Sequence, residues 1–373
     1  MASARNFGLL TIVKQATAGT AMTTAASGYS MPIISGMVGP TKEWGDLPRM
    51  GNTMARLGQF AQRAAVGGTV TVLATPESLG LLLYAAMGSE LTLGTAAGGV
   101  TPHTFVMADT WPATGFTVWA SLASGSDADV WRFRDAQVAR LQISGSSGEN
   151  YAVEVEFVAK HYTKTATGAS GWPTAYNTST GTRATDVLQG AEPRFKFITS
   201  NTLLDSDSAT PTVASATESF TWEVDRAPAI RYGPSLTPAV IAPDRMVNFS
   251  VQQNYESSEH GWEFLEDAYL AAINGNPDQA RPKGSFDITA GVHPTGASSG
   301  SLRIISGGGT ALGGASPVIS IKQNWEYGTT RPDASGTPDI IQLSIDGICS
   351  APSDGSTETA ALLSSARTTL YST

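Results

Sequence analysis

The sequence predicts a mainly β fold: two tandem β-sandwich or barrel-like units, each with one flanking α-helix, plus extended arms and long loops. Three observations carry this. First, one layout occurs twice, in which an alternating strand leads into a short capped helix, a glycine stops it, and more strands follow. It reads GTVTVLATPESLGLLLYAAMG from Gly68 to Gly88 and RMVNFSVQQNYESSEHGWEFLEDAYLAAING from Arg245 to Gly275. Second, period-two alternation dominates the rest of the chain. Third, 39 glycines and only 15% charged residues, against about 25% in an average soluble protein, point to many turns and small-residue contacts.

Residues 1–30 read as an N-terminal arm, because GLLTIV is strand-like but gives way to small residues. The first unit spans 31–163 and opens with a long Gly- and Pro-punctuated segment whose Trp44, Leu47, Met50, Leu57 and Phe60 favour a contact surface. Alternation then sets its strands. Val70 and Val72 alternate with threonines, Phe116 to Leu122 and Ala139 to Ile143 follow the same rule, and Val153, Val155 and Phe157 alternate with Glu154 and Glu156. SGSSGEN, from Ser144 to Asn150, reads as a hairpin loop. Residues 164–190 are dense in turn formers and form the linker, 191–352 the second unit, and 353–373 a C-terminal tail.

The second unit repeats the order: FTWEVD, VNFSVQQ, a helix, then SFDIT, SLRII, VISIKQNWEY and IIQLSID. Both helices carry start and stop signals. Thr75 caps the first, Pro76 and Glu77 suit its first turn, and Gly88 ends it. The second has Ser257 or Ser258 as cap, Glu259 in the first turn and Gly275 as terminator, with Trp262, Leu265, Tyr269, Ala272 and Ile273 forming a stripe that packs on a sheet.

The formal charge of -9 is uneven. Residues 1–187 hold 12 basic and 12 acidic residues, whereas 188–373 hold 11 and 20. This argues against tight binding to phosphate backbones, which needs clustered Lys and Arg. Cys349 is the single cysteine, so no disulfide forms within the chain and no Cys-based metal site is possible. No apolar run approaches the roughly 20 residues of a membrane helix, and MASARNFGLLTIVKQ is too short in its apolar stretch for a secretory signal. The expectation is synthesis in a cytoplasm, with no membrane.

No catalytic kit emerges. GASSG, Gly296 to Gly300, matches the serine-nucleophile elbow, but the last histidine, His293, precedes it, so the required order fails. GGGTALGG, Gly307 to Gly314, has no following Lys-Ser/Thr for a phosphate loop. His103, His161, His260 and His293 are scattered singly, and the Asp205–Asp207 stretch departs from a calcium loop at Ala209 and Ala216. Arg132 and Arg134, interleaved with Trp131 and Phe133, fit strand alternation more cheaply than base stacking. No cofactor is expected and the chain is not read as an enzyme.

The segments PESLGLLLYAAMGSE, RFRDAQVARLQISGSSGENYAVEVEFVAK and FTWEVDRAPAIRYGPSLTPAVIAPDRMVNFSVQQNYES, with the opening LTIVKQATAGTA, together resemble the tail tube proteins of long-tailed bacteriophages over most of residues 8–350. That resemblance implies tube domains assembled in rings whose inner sheets join into a continuous barrel. With six tube domains per ring, two per chain imply a trimeric, pseudo-sixfold ring, with a hexamer as the alternative. It further implies a virion tail location, stacked rings conducting DNA without specific binding, and the tape measure protein and tail terminator as partners. Trp44, Arg49, Arg56, Arg231, Tyr232 and Arg245 are the candidate ring and stacking contacts, since interfaces favour aromatics and Arg. The duplicated unit favours a non-contractile tail. Competing readings are another virion component (terminator, baseplate hub or decoration protein) or a carbohydrate-binding β-sandwich using some of the eight tryptophans.

Overall fold

The computed structural model describes residues 8–22, 28–46, 59–91, 93–96, 101–121, 129–146, 149, 151–166, 188–198, 213–226, 229–232, 238–241, 245–254, 283–292, 318–327, 333–337, 340–349, 359–365 and 367–372. The fold is mainly β. In chain order the elements are β1 (Leu9–Lys14), β2 (Tyr29–Asp46), β3 (Gln59–Val72), α1 (Pro76–Met87), β4 (Gly88–Glu90), β5 (Thr101–Met107), β6 (Phe116–Ser121), β7 (Asp129–Ser146), β8 (Ala152–Val158) and β9 (His161–Ala166). There follow β10 (Leu188–Ile198), β11 (Val213–Asp225), β12 (Ala229–Tyr232), β13 (Pro238–Ile241), β14 (Met246–Asn254), β15 (Lys283–Val292), β16 (Val318–Tyr327), β17 (Asp333–Thr337), β18 (Ile340–Cys349) and β19 (Thr359–Ser365).

Six antiparallel strands close on themselves in the first half, in the order β1–β2–β3–β8–β7–β6 and back to β1. Closure gives each strand a partner on both sides, although β2 is paired with β1 only as far as Pro32 and with β3 only from Ile33. The alternating residues point inward as the sequence dictates: Val70 and Val72, Phe116 and Val118, Leu141 and Ile143, and Val153 and Val155 are all buried. Two 18-residue strands turn the corners by changing partners midway. Residues Tyr29 to Pro32 of β2 pair with β1, whereas Ile33 onward pairs with β3. Residues 130–136 of β7 pair with β6, and Gln137 onward with β8. At that second corner Asp135 takes φ 53, unusual for a residue with a side chain. Its carboxylate accepts from Gln15 Nε2 at 3.0 Å and from the Gly19 N–H at 2.7 Å, while its own N–H donates to Gln15 Oε1 at 2.7 Å.

The second half repeats the circuit strand for strand: β10–β11–β14–β18–β16–β15 and back to β10. Even a register irregularity recurs, between Ile33 and Ser35 on β2 and between Thr217 and Ser219 on β11. The helix expected after β14 and the SLRII strand lie outside the described residues, as do GASSG and GGGTALGG.

Helix α1 starts as its sequence signals. The Thr75 and Ser78 side chains bond each other's backbone N–H, at 3.3 and 2.8 Å, and Gly88 closes the end at φ 93. The helix was expected to flank the sheet, yet it is enclosed. Leu79, Leu81, Leu82, Leu83, Ala85, Ala86 and Met87 are all buried, because the helix packs on β2 and β7 and is covered by β4, β5 and β19. The nearly unbroken apolar run LGLLLYAAM is the composition of an all-round buried helix. Each of its leucines contributes about 1.5–3 kcal/mol of burial.

Two further departures from the sequence reading concern strands. The Gly- and Pro-rich segment read as a long loop forms a hairpin, β2 with β3, over the described part of 29–72. The residues read as a C-terminal tail contain β19, which pairs with β16 of the second circuit on one side and β5 on the other. Beyond it the chain hooks into the first half. Tyr371 is buried against His103 (ring centroids 5.0 Å) and Phe105 (5.8 Å), and its ring lies so close to Gly80 that a Cβ there would fall 2.3 Å from it.

Candidate assembly interface

The two circuits are sewn together by main chain. The C-terminal half of β7 pairs with β8 on one edge and with β11 on the other, from Ser146↔Ser219 to Arg140↔Asp225. The Arg226 N–H adds a last rung to Ala139 O at 2.9 Å. One sheet therefore runs continuously through β3, β8, β7, β11, β14 and β18.

The two faces of that sheet differ because the side-chain period is two. One face is core, with Val72, Val153, Ile143 and Trp222 in successive cross-strand register. The other is polar. Thr71, Glu154, Gln142, Glu223 and Asn248 form one cross-strand row, and Thr69, Glu156, Arg140 and Asp225 form the next. Arg140 gathers the carboxylates: it bonds Glu154, lies 3.1 Å from Glu223 across the junction, and 3.7 Å from Glu156. Four acids against one guanidinium leave this face net negative among the described residues. With Arg140 29% exposed, the cluster is a solvated network worth about 0–1 kcal/mol per pair.

At the end of the junction Arg226 turns inward and is buried. Its Nε donates to Ala86 O at 2.6 Å, and its Nη2 donates to Met87 O at 2.6 Å and to Ala108 O at 3.1 Å. The guanidinium just past β11 thus satisfies the Ala86 carbonyl and adds a second donor to Met87 O, which also accepts from the Ala108 N–H at 2.8 Å, at the C-terminus of α1 where the helix dipole favours a cation. Burial lowers its pKa to about 10, nearby Arg245 adds to the lowering and Asp109 opposes it, so the group stays charged at neutral pH. Arg245 lies 3.0 Å from Asp109.

At the second junction, where β19 pairs with β16 and β5, side chains lock the end of the ladder. Glu90, its side chain fully buried, bonds His103 Nδ1 at 2.8 Å through one oxygen, and the other accepts from the backbone N–H groups of Tyr371 at 2.6 Å and Ser372 at 3.0 Å. His103 Nε2 is 2.9 Å from Arg367 O. Arg367 lies over the Tyr371 ring at 4.5 Å and donates to Tyr29 Oη at 3.0 Å, and Lys14 donates to Ser372 O.

Of the six residues singled out from the sequence, Trp44 lies on β2 opposite Ala61, Arg231 and Tyr232 lie on the β12–β13 hairpin, and Arg245 is engaged with Asp109 within the chain. Arg49 and Arg56 lie outside the described residues. Arg132 sits in the β6–β7 ladder, and Trp131 packs on Tyr162 at 5.8 Å with Lys164 5.5 Å from its ring, a structural role. Sequence reasoning missed Arg226, although the alternation Trp222, Val224, Arg226 already placed it on the inward face. It also missed Arg140, Glu90 and His103, whose partners come from distant strands. Among the described residues no cluster of three or more His, Cys, Asp or Glu could hold a metal, and no described helix is long and apolar enough to cross a membrane.

No curated protein matches the chain. The family model described as phage tail tube protein matches residues 8–349, a span that holds every strand of both circuits. The chain belongs to the phage tail tube protein family, and is a structural protein of the virion tail that self-assembles into a tube.

Proposed function

We infer that three copies close into a ring with pseudo-sixfold symmetry, and that stacked rings make a hollow conduit for DNA leaving the capsid. The observation that supports this reading is the junction of β7 with β11, which joins two circuits of the same connectivity edge to edge. An arrangement that repeats one junction six times around an axis needs two circuits from each of three chains. A heterologous contact of this kind makes a closed ring when its rotation closes.

The polar face of the joined sheet lines the lumen in this reading. Glu154, Glu156, Glu223 and Asp225 then present negative charge to DNA phosphates and keep the passing duplex from adhering. Stacking falls to the β2–β3 hairpin, where Trp44 lies, with Arg49 and Arg56 in the segment between its two strands, and to the β12–β13 hairpin with Arg231 and Tyr232. The chain carries no catalytic activity, is made in the host cytoplasm, meets the tape measure protein in its lumen and a terminator at its end, and serves a non-contractile tail.

Electron microscopy of the purified full-length protein tests this. The expected result is uniform hollow filaments whose rings show three chains and six similar lobes. Rings of six chains would overturn the trimeric reading, and the absence of hollow filaments would overturn the conduit itself.

A further inference from the structure

The in-chain junction contains the recipe for the junction between chains. We propose that β17 of one copy adds to the free edge of β2 in the next, in antiparallel register Thr337↔Ser35, Gly336↔Gly36, Ser335↔Met37, Ala334↔Val38 and Asp333↔Gly39. This rests on the trimeric reading above and deepens it to individual residues.

The equivalence of the two halves follows from strand pairing. The shared irregularity matches Ile33↔Val72 on β2–β3 with Thr217↔Gln253 on β11–β14. From Val72 the ladder runs to Val153 and on to Ile143, and from Gln253 it runs to Leu343 and on to Ala334. Ala334 therefore holds the place of Ile143, and β17 is the counterpart of the part of β7 that pairs with β11. The residues agree without having been used to align them: RLQISGS from Arg140 to Ser146 faces RPDASGT from Arg331 to Thr337. On the other side, Ser35 holds the place of Ser219 and Val38 that of Trp222, both of the latter buried. The residue ending the paired stretch is basic in both, Arg226 and Lys42.

Both edges await a partner among the described residues. On the β1 side, the last rung of β2 is the Ile33 N–H to Gly8 O at 2.8 Å, after which Ile34 is 52% exposed. Strand β17 pairs with β18 along one edge only. An unpaired edge carrying a large exposed apolar residue is a template for another strand. The second copy is the occupant because the chain itself already fills the equivalent edge of β11 with the equivalent strand.

The register also fixes which pairs are close. Because Arg226 N–H bonds Ala139 O, alternate pairs are hydrogen-bonded and Ser144↔Thr221 is not, so its counterpart Ser335↔Met37 belongs to the closer-spaced class. Cα atoms about 4.5 Å apart suit a disulfide, whereas a slip of four residues puts them about 13 Å apart.

The test is oxidation of the assembled full-length protein carrying Cys349→Ser with Ser335→Cys and Met37→Cys, beside Thr337→Cys with Ser35→Cys as an independent matched pair. Ser335→Cys with Thr41→Cys serves as the slipped control. The expected result is cross-linking at least tenfold above the control, in a non-reducing ladder that ends at three chains. Rings that form without cross-linking in either matched pair would overturn the proposed edges while leaving the trimer standing. A matched-pair ladder that runs to six would keep the register and overturn the trimer. Failure of the Cys349→Ser protein itself to assemble would overturn both.

Discussion

Two seams hold the halves of this chain together, both of them ladders of peptide groups, and they differ in how they end. The seam of β7 with β11 is a ladder of peptide groups, with a solvated ion cluster on one face and a single buried guanidinium at its end. The seam of β5 and β16 with β19 ends in a buried knot, where Glu90, His103, Arg367 and Tyr371 interlock. The ladder asks little of the side chains along it, so the same junction suits repetition between copies. The knot demands particular partners, which suits a closure made once per chain.

The sharpest way to separate the seams is to cut the knot. Tyr371→Ala removes an aromatic packed on His103, Phe105 and Tyr29, and is expected to cost about 3–5 kcal/mol in denaturant unfolding. Against this, Arg226→Met keeps the packing of the stem but takes the guanidinium donors from the carbonyls of Ala86 and Ala108, while Met87 O keeps the Ala108 N–H at 2.8 Å. Its expected cost is about 1–3 kcal/mol, read as a lower midpoint with an unchanged slope.

Alkaline pH loads the knot, as it also loads Tyr151 beside the other seam and Tyr84 on the helix, whose pKa values burial raises too, so the comparison with Tyr371→Phe isolates the knot. Burial raises the pKa of Tyr371 well above its ordinary 10, and neighbouring Tyr29 adds to the shift; burial also raises Tyr29 itself. The unfolded phenols ionise first, so this contribution is intact below pH 10 and is lost as pH climbs through the folded values. Unfolding midpoints compared at pH 8 and pH 11 should fall more steeply for the native sequence than for Tyr371→Phe; equal slopes would refute the assignment. The smallest effect belongs to the ladder's surface. Arg140→Gln should change monomer stability by no more than about 1 kcal/mol, with the difference shrinking in high salt.

The sequence was most readable where local pattern and final environment agree. Val153, Val155 and Phe157 face the core while Glu154 and Glu156 face out, as strict alternation requires. Thr75, Pro76 and Gly88 bound α1 because caps depend on a few adjacent residues. Long-range features were opaque. TAALLSS has no alternation, and it is a strand because β5 and β16 offer edges on both sides. Gly36 and Pro32 looked like loop punctuation, yet they stand where β2 turns the corner. Gly36 adopts φ 90, and a Cβ there would fall 2.3 Å from Thr69 O, so glycine is what lets the two strands approach. The Arg140 cluster and the Glu90 knot draw members from strands far apart in sequence, which no local pattern encodes.

The ladder between β7 and β11 has an evolutionary consequence. A bond made by peptide groups is indifferent to most substitutions, so either half of the polypeptide is free to change its chemistry while still obeying one joining rule. The charge differs accordingly: acidic residues concentrate in the later half, where 20 stand against 11 basic ones, while the earlier half is balanced. Two circuits of the same connectivity, joined through peptide groups, thus let one polypeptide carry two surfaces of different charge.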